Sequence, residues 1–419
     1  MRRILILGKF LNLPALGPVS LLFLVQIVLI LFSVPCVLAQ EFLHTDRFGD
    51  ITILRPKGHS TELVILLDSS GIGPVDGPQG KAPIDLDSIQ RAILSEKRII
   101  ARIDVKRYLD ELQKDLEEDD CFEVAGEFER LSQVIQKNIG LTEYVQPVLM
   151  GFAEGGTIVY SIASEAGKNF SGAMIFEPCF QPSLRVPLCN TELMRGLGKP
   201  QDLLQEGSVL TAPLEIVGAD RSLCGSKASK LESGKLKSIL FNPTNDIYMS
   251  AFPPLKEAEI KQLVSDAFNR FGRIVRKGAD SWETIGSKLP IVEIMSSGAE
   301  RDTFVIFLSG DGGWASIDKA IGKELASNGY PVVGLDSLRF FWKQRTSDNT
   351  TSAIAALIEK YQEKWHKSKV VLVGYSFGAD VLPFVLNRLK PELKNSVKYA
   401  VLLNPSLATD FEVEMTDWL

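Results

Sequence analysis

The residues of this chain best placed to do chemistry are Gly374-Tyr375-Ser376-Phe377-Gly378, which follow the apolar run Val370 to Val373 and precede Ala379-Asp380-Val381-Leu382. The pattern predicts a strand, a sharp turn and a helix, with a serine hydroxyl held at the turn. Glycines two residues to either side let the backbone turn tightly, and the helix N-terminus faces any negative charge that develops there. A serine so placed attacks a carbonyl and passes through a tetrahedral oxyanion to an acyl-enzyme. The oxyanion needs donors, and the backbone N–H of Phe377 is one. Upstream, the buried-strand pattern Phe304 to Leu308 ends in Ser309-Gly310-Asp311-Gly312-Gly313-Trp314, a glycine-rich turn that offers the N–H of Asp311 or Gly312 as the other. One such donor is worth ~3 kcal/mol of barrier. The reading calls for no cofactor and no metal.

These elements belong together in the α/β-hydrolase fold, an α/β architecture with a mainly parallel sheet. There the triad runs Ser, then Asp or Glu, then His, and no histidine follows Ser376. His366 precedes the strand that carries the serine. A strand from Lys369 to Tyr375 holds its ends ~20 Å apart, so His366 is expected at the wrong end of the sheet. His44 and His59 have no better claim. Asp380, in the first turn of the elbow helix, reads as a helix-dipole or packing residue. The last recognisable strand, Tyr399 to Leu403, leads into Asn404-Pro405-Ser406. An acid-bearing strand and a histidine loop are expected after it, so this unit reads as truncated, incomplete at its C-terminal end, with its sixth strand an open apolar edge.

The beginning of the chain predicts export. Arg2, Arg3 and Lys9 precede an uncharged apolar stretch, Leu21 to Phe32, and Val37-Leu38-Ala39 offers small residues where a signal peptidase reads. Residues 1–39 are expected to be a cleavable signal peptide and the protein periplasmic. A retained anchor is disfavoured by the shortness of the apolar core, and a lipidated Cys36 by Pro35. Removing the leader takes 46 Lys+Arg to 43 against 52 Asp+Glu, a net charge of −9. That balance argues against nucleic acid as a partner. Cys121, Cys179, Cys189 and Cys224 remain, an even number in an exported chain, giving two disulfides of undetermined connectivity or four buried thiols.

Internal similarity predicts two units. Residues 51–67 align without a gap on 292–308, Ile99 to Asp104 on Pro331 to Asp336, Val148 to Gly156 on the elbow, and Ala173 to Pro178 on Ala400 to Pro405. Ala153 stands where the second unit has Ser376, so the first unit keeps the fold without the nucleophile. Its strand Leu214 to Val217 runs toward Asp220, a structural turn or cap residue rather than an acid. Glu117 to Asp120 reads as a solvated face, and Glu257 to Phe271 as a linking helix after Phe252-Pro253-Pro254. The expected organisation is a degenerate α/β-hydrolase-like unit over 40–250, a linker over 251–285 and a hydrolase unit over 286–419.

GYSFGADVLPF, LSGDGGW and LDSLRFFWKQRT, as they stand in the second unit, resemble the VirJ/AcvB family of bacterial periplasmic virulence proteins. The resemblance implies a periplasmic serine hydrolase that cleaves lysyl-phosphatidylglycerol, with Ser376 as nucleophile. Its implied partners are the aminoacylated phospholipid headgroup at the membrane surface and, for the shorter members, type IV secretion components. Asp336, Arg339 and Trp342 follow a strand on the active-site side, placed to line the substrate entrance, with Asp336 able to meet a lysyl ammonium. Loop packing and surface ion pairs are the alternative for these three, and a non-catalytic periplasmic binding or type IV secretion accessory protein, or an inactive truncated product, is the alternative for the protein. N-terminal sequencing of the protein from a periplasmic extract should begin at Gln40; recovery of the unprocessed chain in the membrane fraction would overturn the leader assignment.

Overall fold

Long β-branched and apolar runs form the centre of two sheets in the computed structural model, which describes residues 40–69, 86–114, 124–166, 169–176, 213–217, 221–224, 227–230, 247–250, 256–279 and 289–413. Residues 1–39, expected to be a leader, Asp220 and the cysteines at 121, 179 and 189 lie outside the described residues.

The strands of the first half are Gln40–Thr45 (β1), Gly49–Leu54 (β2), Leu63–Asp68 (β3), Ile99–Asp104 (β4), Val148–Phe152 (β5), Gly172–Phe176 (β6), Leu214–Val217 (β7), Arg221–Cys224 (β8), Lys227–Lys230 (β9) and Ile247–Ser250 (β10). All but β8 and β9, which pair with each other, join one sheet in the order β1-β2-β4-β3-β5-β6-β7-β10. The second sheet orders Ile291–Ile294 (β11), Thr303–Leu308 (β12), Val332–Leu335 (β13), Lys369–Tyr375 (β14) and Val397–Leu403 (β15) as β11-β13-β12-β14-β15. β2-β4-β3-β5-β6 and β11-β13-β12-β14-β15 are the same crossover pattern. In each, the first strand is antiparallel to its neighbour and the others run parallel. β3 is buried along its whole length and β12 at all but its first residue, as a central parallel strand covered on both faces must be. This is the α/β-hydrolase fold.

The helices are Leu86–Ser95 (α1), Val105–Leu112 (α2), Val124–Asn138 (α3), Glu154–Ala166 (α4), Glu257–Ala279 (α5), Ser316–Ser327 (α6), Ser337–Phe340 (α7), Ser347–Trp365 (α8), Phe377–Arg388 (α9) and Pro391–Ser396 (α10). None of the described helices is long and apolar enough to cross a membrane.

Two expectations need correction. The ungapped alignment of 51–67 on 292–308 fails at its outer strand. Thr52 pairs with Arg102, whereas Glu293, aligned with it, pairs with Val333, the counterpart of Ala101. The one-residue offset puts Ile51 and Ile291, both fully buried, on equivalent core positions. Core side chains, with a period of two, set the register, and the following loop absorbs the difference. The helix α5 is likewise not a linker. Ile260, Val264, Ala267, Phe268 and Phe271 form one buried face, packed with Val64, Leu66, Met150, Met174 and Phe176 of the first sheet. Arg270 on its partly exposed side pairs with buried Glu215 of β7. This helix covers the first sheet.

Residues 41–419 hold together as one unit. A single apolar core runs from Tyr108, Phe128 and Leu141 of the first half to Phe341, Trp342, Phe411 and Val413 of the second. On the outer side of β15, no described strand pairs with it, and Tyr399 is 71% exposed.

Both strand-to-helix turns bring backbone against backbone. A Cβ on Gly378 would stand 2.3 Å from the Leu308 carbonyl oxygen, and one on Gly155 would stand 2.7 Å from that of Leu67. The contact belongs to the fold and not to the chemistry. Gly155→Ala and Gly378→Ala should therefore each destabilise the protein by about 1–3 kcal/mol in urea unfolding, although the first half has alanine at its turn. A cost confined to Gly378→Ala would refute this.

Candidate active site

Ser376 sits between β14 and α9 with φ +49° and ψ −120°. A left-handed φ at a non-glycine residue costs on the order of 1–3 kcal/mol and persists where the surroundings enforce it. They do so here. The Ser376 N–H donates to the Leu403 carbonyl at 2.9 Å, tying the elbow to the end of β15, and its carbonyl accepts the Ala379 N–H at 2.8 Å. Among the described residues its hydroxyl makes no hydrogen bond. Ala153 repeats the geometry with φ +45°, its N–H donating to Phe176 at 3.1 Å and its carbonyl accepting Gly156 N–H at 3.0 Å. There the Ser69 hydroxyl fills the elbow, donating to the Phe152 carbonyl at 2.7 Å and accepting Gly155 N–H at 3.2 Å.

The glycine-rich turn lies against the serine. A Cβ built on Gly310 would stand 3.4 Å from the Tyr375 ring and 3.5 Å from Ser376 Cβ. The turn is closed by Gly313 N–H to the Gly310 carbonyl at 3.1 Å, and Ala315 N–H bonds Gly313 at 2.9 Å. The N–H groups of Asp311 and Gly312 have no carbonyl acceptor among the described residues. With Phe377 N–H, at the start of α9 where helix donors are unpaired, they are free to meet an oxyanion. Behind the turn, Ser337 N–H donates to the Ser309 hydroxyl at 2.9 Å and Ser337 Oγ donates to the Ser309 carbonyl at 2.6 Å. Sequence reasoning missed this clasp, whose one signal is a serine at each strand end.

Asp336 does not line an entrance. It is 6% exposed and caps α7, accepting Arg339 N–H at 3.1 Å, with the Trp314 N–H also directed at it. Burial pushes its carboxyl above the usual range, while Arg339 and these N–H groups oppose the shift. Asp104 caps α2 in the same way, accepting Arg107 N–H at 3.2 Å. The aspartate that ends the equivalent strand in each half is thus a helix cap. Arg339 stays near its own cap, Nε 3.6 Å from Asp336 Oδ2. Trp342 is 3% exposed and faces the first half, donating its indole N–H to the Leu141 carbonyl at 2.8 Å. An indole buried in an apolar seam needs an acceptor, and Leu141 supplies it. Asp380 grips the loop after β15, accepting Ser406 N–H and Oγ, each at 2.6 Å.

The histidines stand away from the elbow. His366 ends α8 in the left-handed conformation, before β14 begins, at the strand end opposite Ser376. His44 is exposed and bonds Asp50 at 2.7 Å, and His59 is exposed in the loop between β2 and β3. No group of His, Cys, Asp and Glu able to hold a metal ion is present among the described residues.

An elbow serine, a donor turn beside it and this strand order define the second half as an α/β-hydrolase unit. Residues 302–419 match the family of bacterial virulence protein VirJ. Among solved structures, the chain is similar to the Francisella virulence factor BioJ, with 12% identity over 61% of this chain and 89% of that one, at a TM-score of 0.34. It is also similar to a dienelactone hydrolase from Klebsiella pneumoniae, with 14% identity over 57% and 99% at 0.36. For a membrane phospholipase A described as a bacterial virulence factor, the values are 13% over 62% and 97% at 0.32. A search of curated proteins returned no match.

Asp318 of α6 gives the turn a pH dependence. Its Oδ2 accepts Ala315 N–H at 3.0 Å. Burial raises its pKa from 3.8 to about 6; the nearby Asp336 carboxylate adds to the shift, against the lowering by Ala315 N–H. The folded protein therefore holds this proton more tightly than the unfolded chain. The resulting stability is full below about pH 4 and lost as pH rises through about 6. Asp318→Asn keeps an acceptor for Ala315 without the charge. It should raise stability by about 1 kcal/mol at pH 8 and leave it unchanged at pH 4 in thermal unfolding. An equal gain at both would refute the assignment.

Proposed function

We propose that the chain is an exported serine esterase that cleaves the aminoacyl ester of lysyl-phosphatidylglycerol at a membrane surface, releasing lysine and phosphatidylglycerol. The observation that carries this reading is the strained Ser376, its hydroxyl unengaged among the described residues, beside the free N–H groups of Asp311 and Gly312. Ser376 Oγ loses its proton to a base and attacks the lysyl carbonyl. The oxyanion rests on Phe377 N–H and the turn, and the glycerol hydroxyl of the headgroup leaves. Water then releases lysine from the acyl-serine. The VirJ match supports a part in virulence. The leader at 1–39 and the even cysteine number of the remaining chain support a periplasmic location.

One observation favours a second reading, a non-catalytic exported binding or type IV secretion accessory protein: among the described residues, no histidine reaches Ser376. Vesicles containing lysyl-phosphatidylglycerol separate the two. Ser376→Ala should abolish lysine release, a loss on the order of 10⁵- to 10⁶-fold in a well-formed site, and Ala153→Ser should leave it unchanged. Undiminished turnover by Ser376→Ala would remove the mechanism, and absence of release by the native chain would favour the second reading.

A further inference from the structure

We propose that Arg130, in the half without a nucleophile, is a positioning residue for the oxyanion turn of the other half. The inference rests on the reading of Ser376 as the nucleophile and adds to it a role for a residue outside the segment matched by the VirJ family. Arg130 and Lys137 are two helical turns apart and so lie on one face of α3. That face is applied to the second half at three places. The Arg130 guanidinium lies 3.3 Å from the Asp311 carboxylate within the turn. Lys137 Nζ donates to the Trp342 carbonyl at 2.7 Å and stands 4.8 Å from the centre of the Trp342 ring. The same Nζ lies 2.9 Å from Glu412. Tyr144, just beyond the helix, packs its ring 5.4 Å from that of Trp342.

The turn needs this support. Its own hydrogen bonds hold Gly310, Gly313 and Ala315 but leave Asp311 and Gly312, the two donors, without a backbone tether among the described residues. The Asp311 side chain is therefore the handle by which their peptide plane is fixed. Arg130 is itself braced, since it donates to buried Gln133 one turn along at 3.5 Å.

The test uses the full chain and a fluorophosphonate, which labels an activated serine through the same tetrahedral geometry, together with hydrogen exchange. Arg130→Ala should slow the maximal rate of Ser376 labelling by about tenfold, with the half-saturating probe concentration unchanged, because the probe is bound as before and the donors are misplaced. Arg130→Lys should restore most of the rate. Asp311→Asn should match Arg130→Ala, and the double variant should lose no more than either single one. Exchange of the 309–314 amides should quicken in Arg130→Ala while that of β12 and β14 does not. An unchanged labelling rate, or losses that multiply in the double variant, would overturn the proposal. If the native chain is not labelled at all, the reading of Ser376 falls and exchange alone decides: unaltered protection of 309–314 in Arg130→Ala refutes the tether, and its loss upholds it.

Discussion

The contact on which the rest depends is the approach of the α9 backbone to the end of β12, where the space beside Gly378 is too small for a methyl group. Because the helix must start there, β14 must lie directly beside β12, and the residue after it must turn at positive φ to feed the helix. The serine at that residue then has one place to stand, over the end of the strand whose continuation is the glycine-rich turn. Serine and turn are brought together by backbone packing. The same contact beside Gly155, with alanine at the turn, shows that the geometry holds without the reactive group.

What was legible in the sequence was local. The elbow, the turn after β12 and the central strands each carry their pattern within ten residues or so, and the separation of His366 from the serine could be argued from strand length. What was not legible was decided at long range. The offset at β2 and β11 follows from which isoleucine reaches the core, and the two alternatives differ by one residue in an apolar run. The face of α5 that covers the first sheet was visible as a periodicity, but not what it faced. Asp336 misled for a different reason. An aspartate after a strand looks the same whether it faces a ligand or a helix N-terminus, and burial made the choice.

The floor of the site is more acidic than its chemistry would suggest. Asp318 and Asp336 are both buried behind the turn, burial raises the proton affinity of each, and the Asp336 carboxylate adds to the shift at Asp318. Each is anchored by backbone N–H groups at a helix start, so the carboxylates orient the turn from behind while its forward N–H groups stay open. Ser309 and Ser337 do the same work without charge. The turn is held by polar groups on its hidden side and by Arg130 at its rim, an arrangement that fixes donors without occupying them.

The shared apolar core has a consequence for how the protein reaches its native state. Leu141 and Trp342 are 201 residues apart in sequence, and Lys137 is 205 and 275 residues from the Trp342 and Glu412 it grips, so the seam adds strongly non-local contacts to the topology. During synthesis the first half emerges with Tyr108 and Phe128 gathered but with the basic face of α3 and the apolar surface around Leu141 still uncovered. Completion waits on the chain that carries Trp342 and Glu412. The first half thereby offers a surface that the second half covers, and a chain with that surface still open exposes apolar groups to chaperones, proteases and self-association.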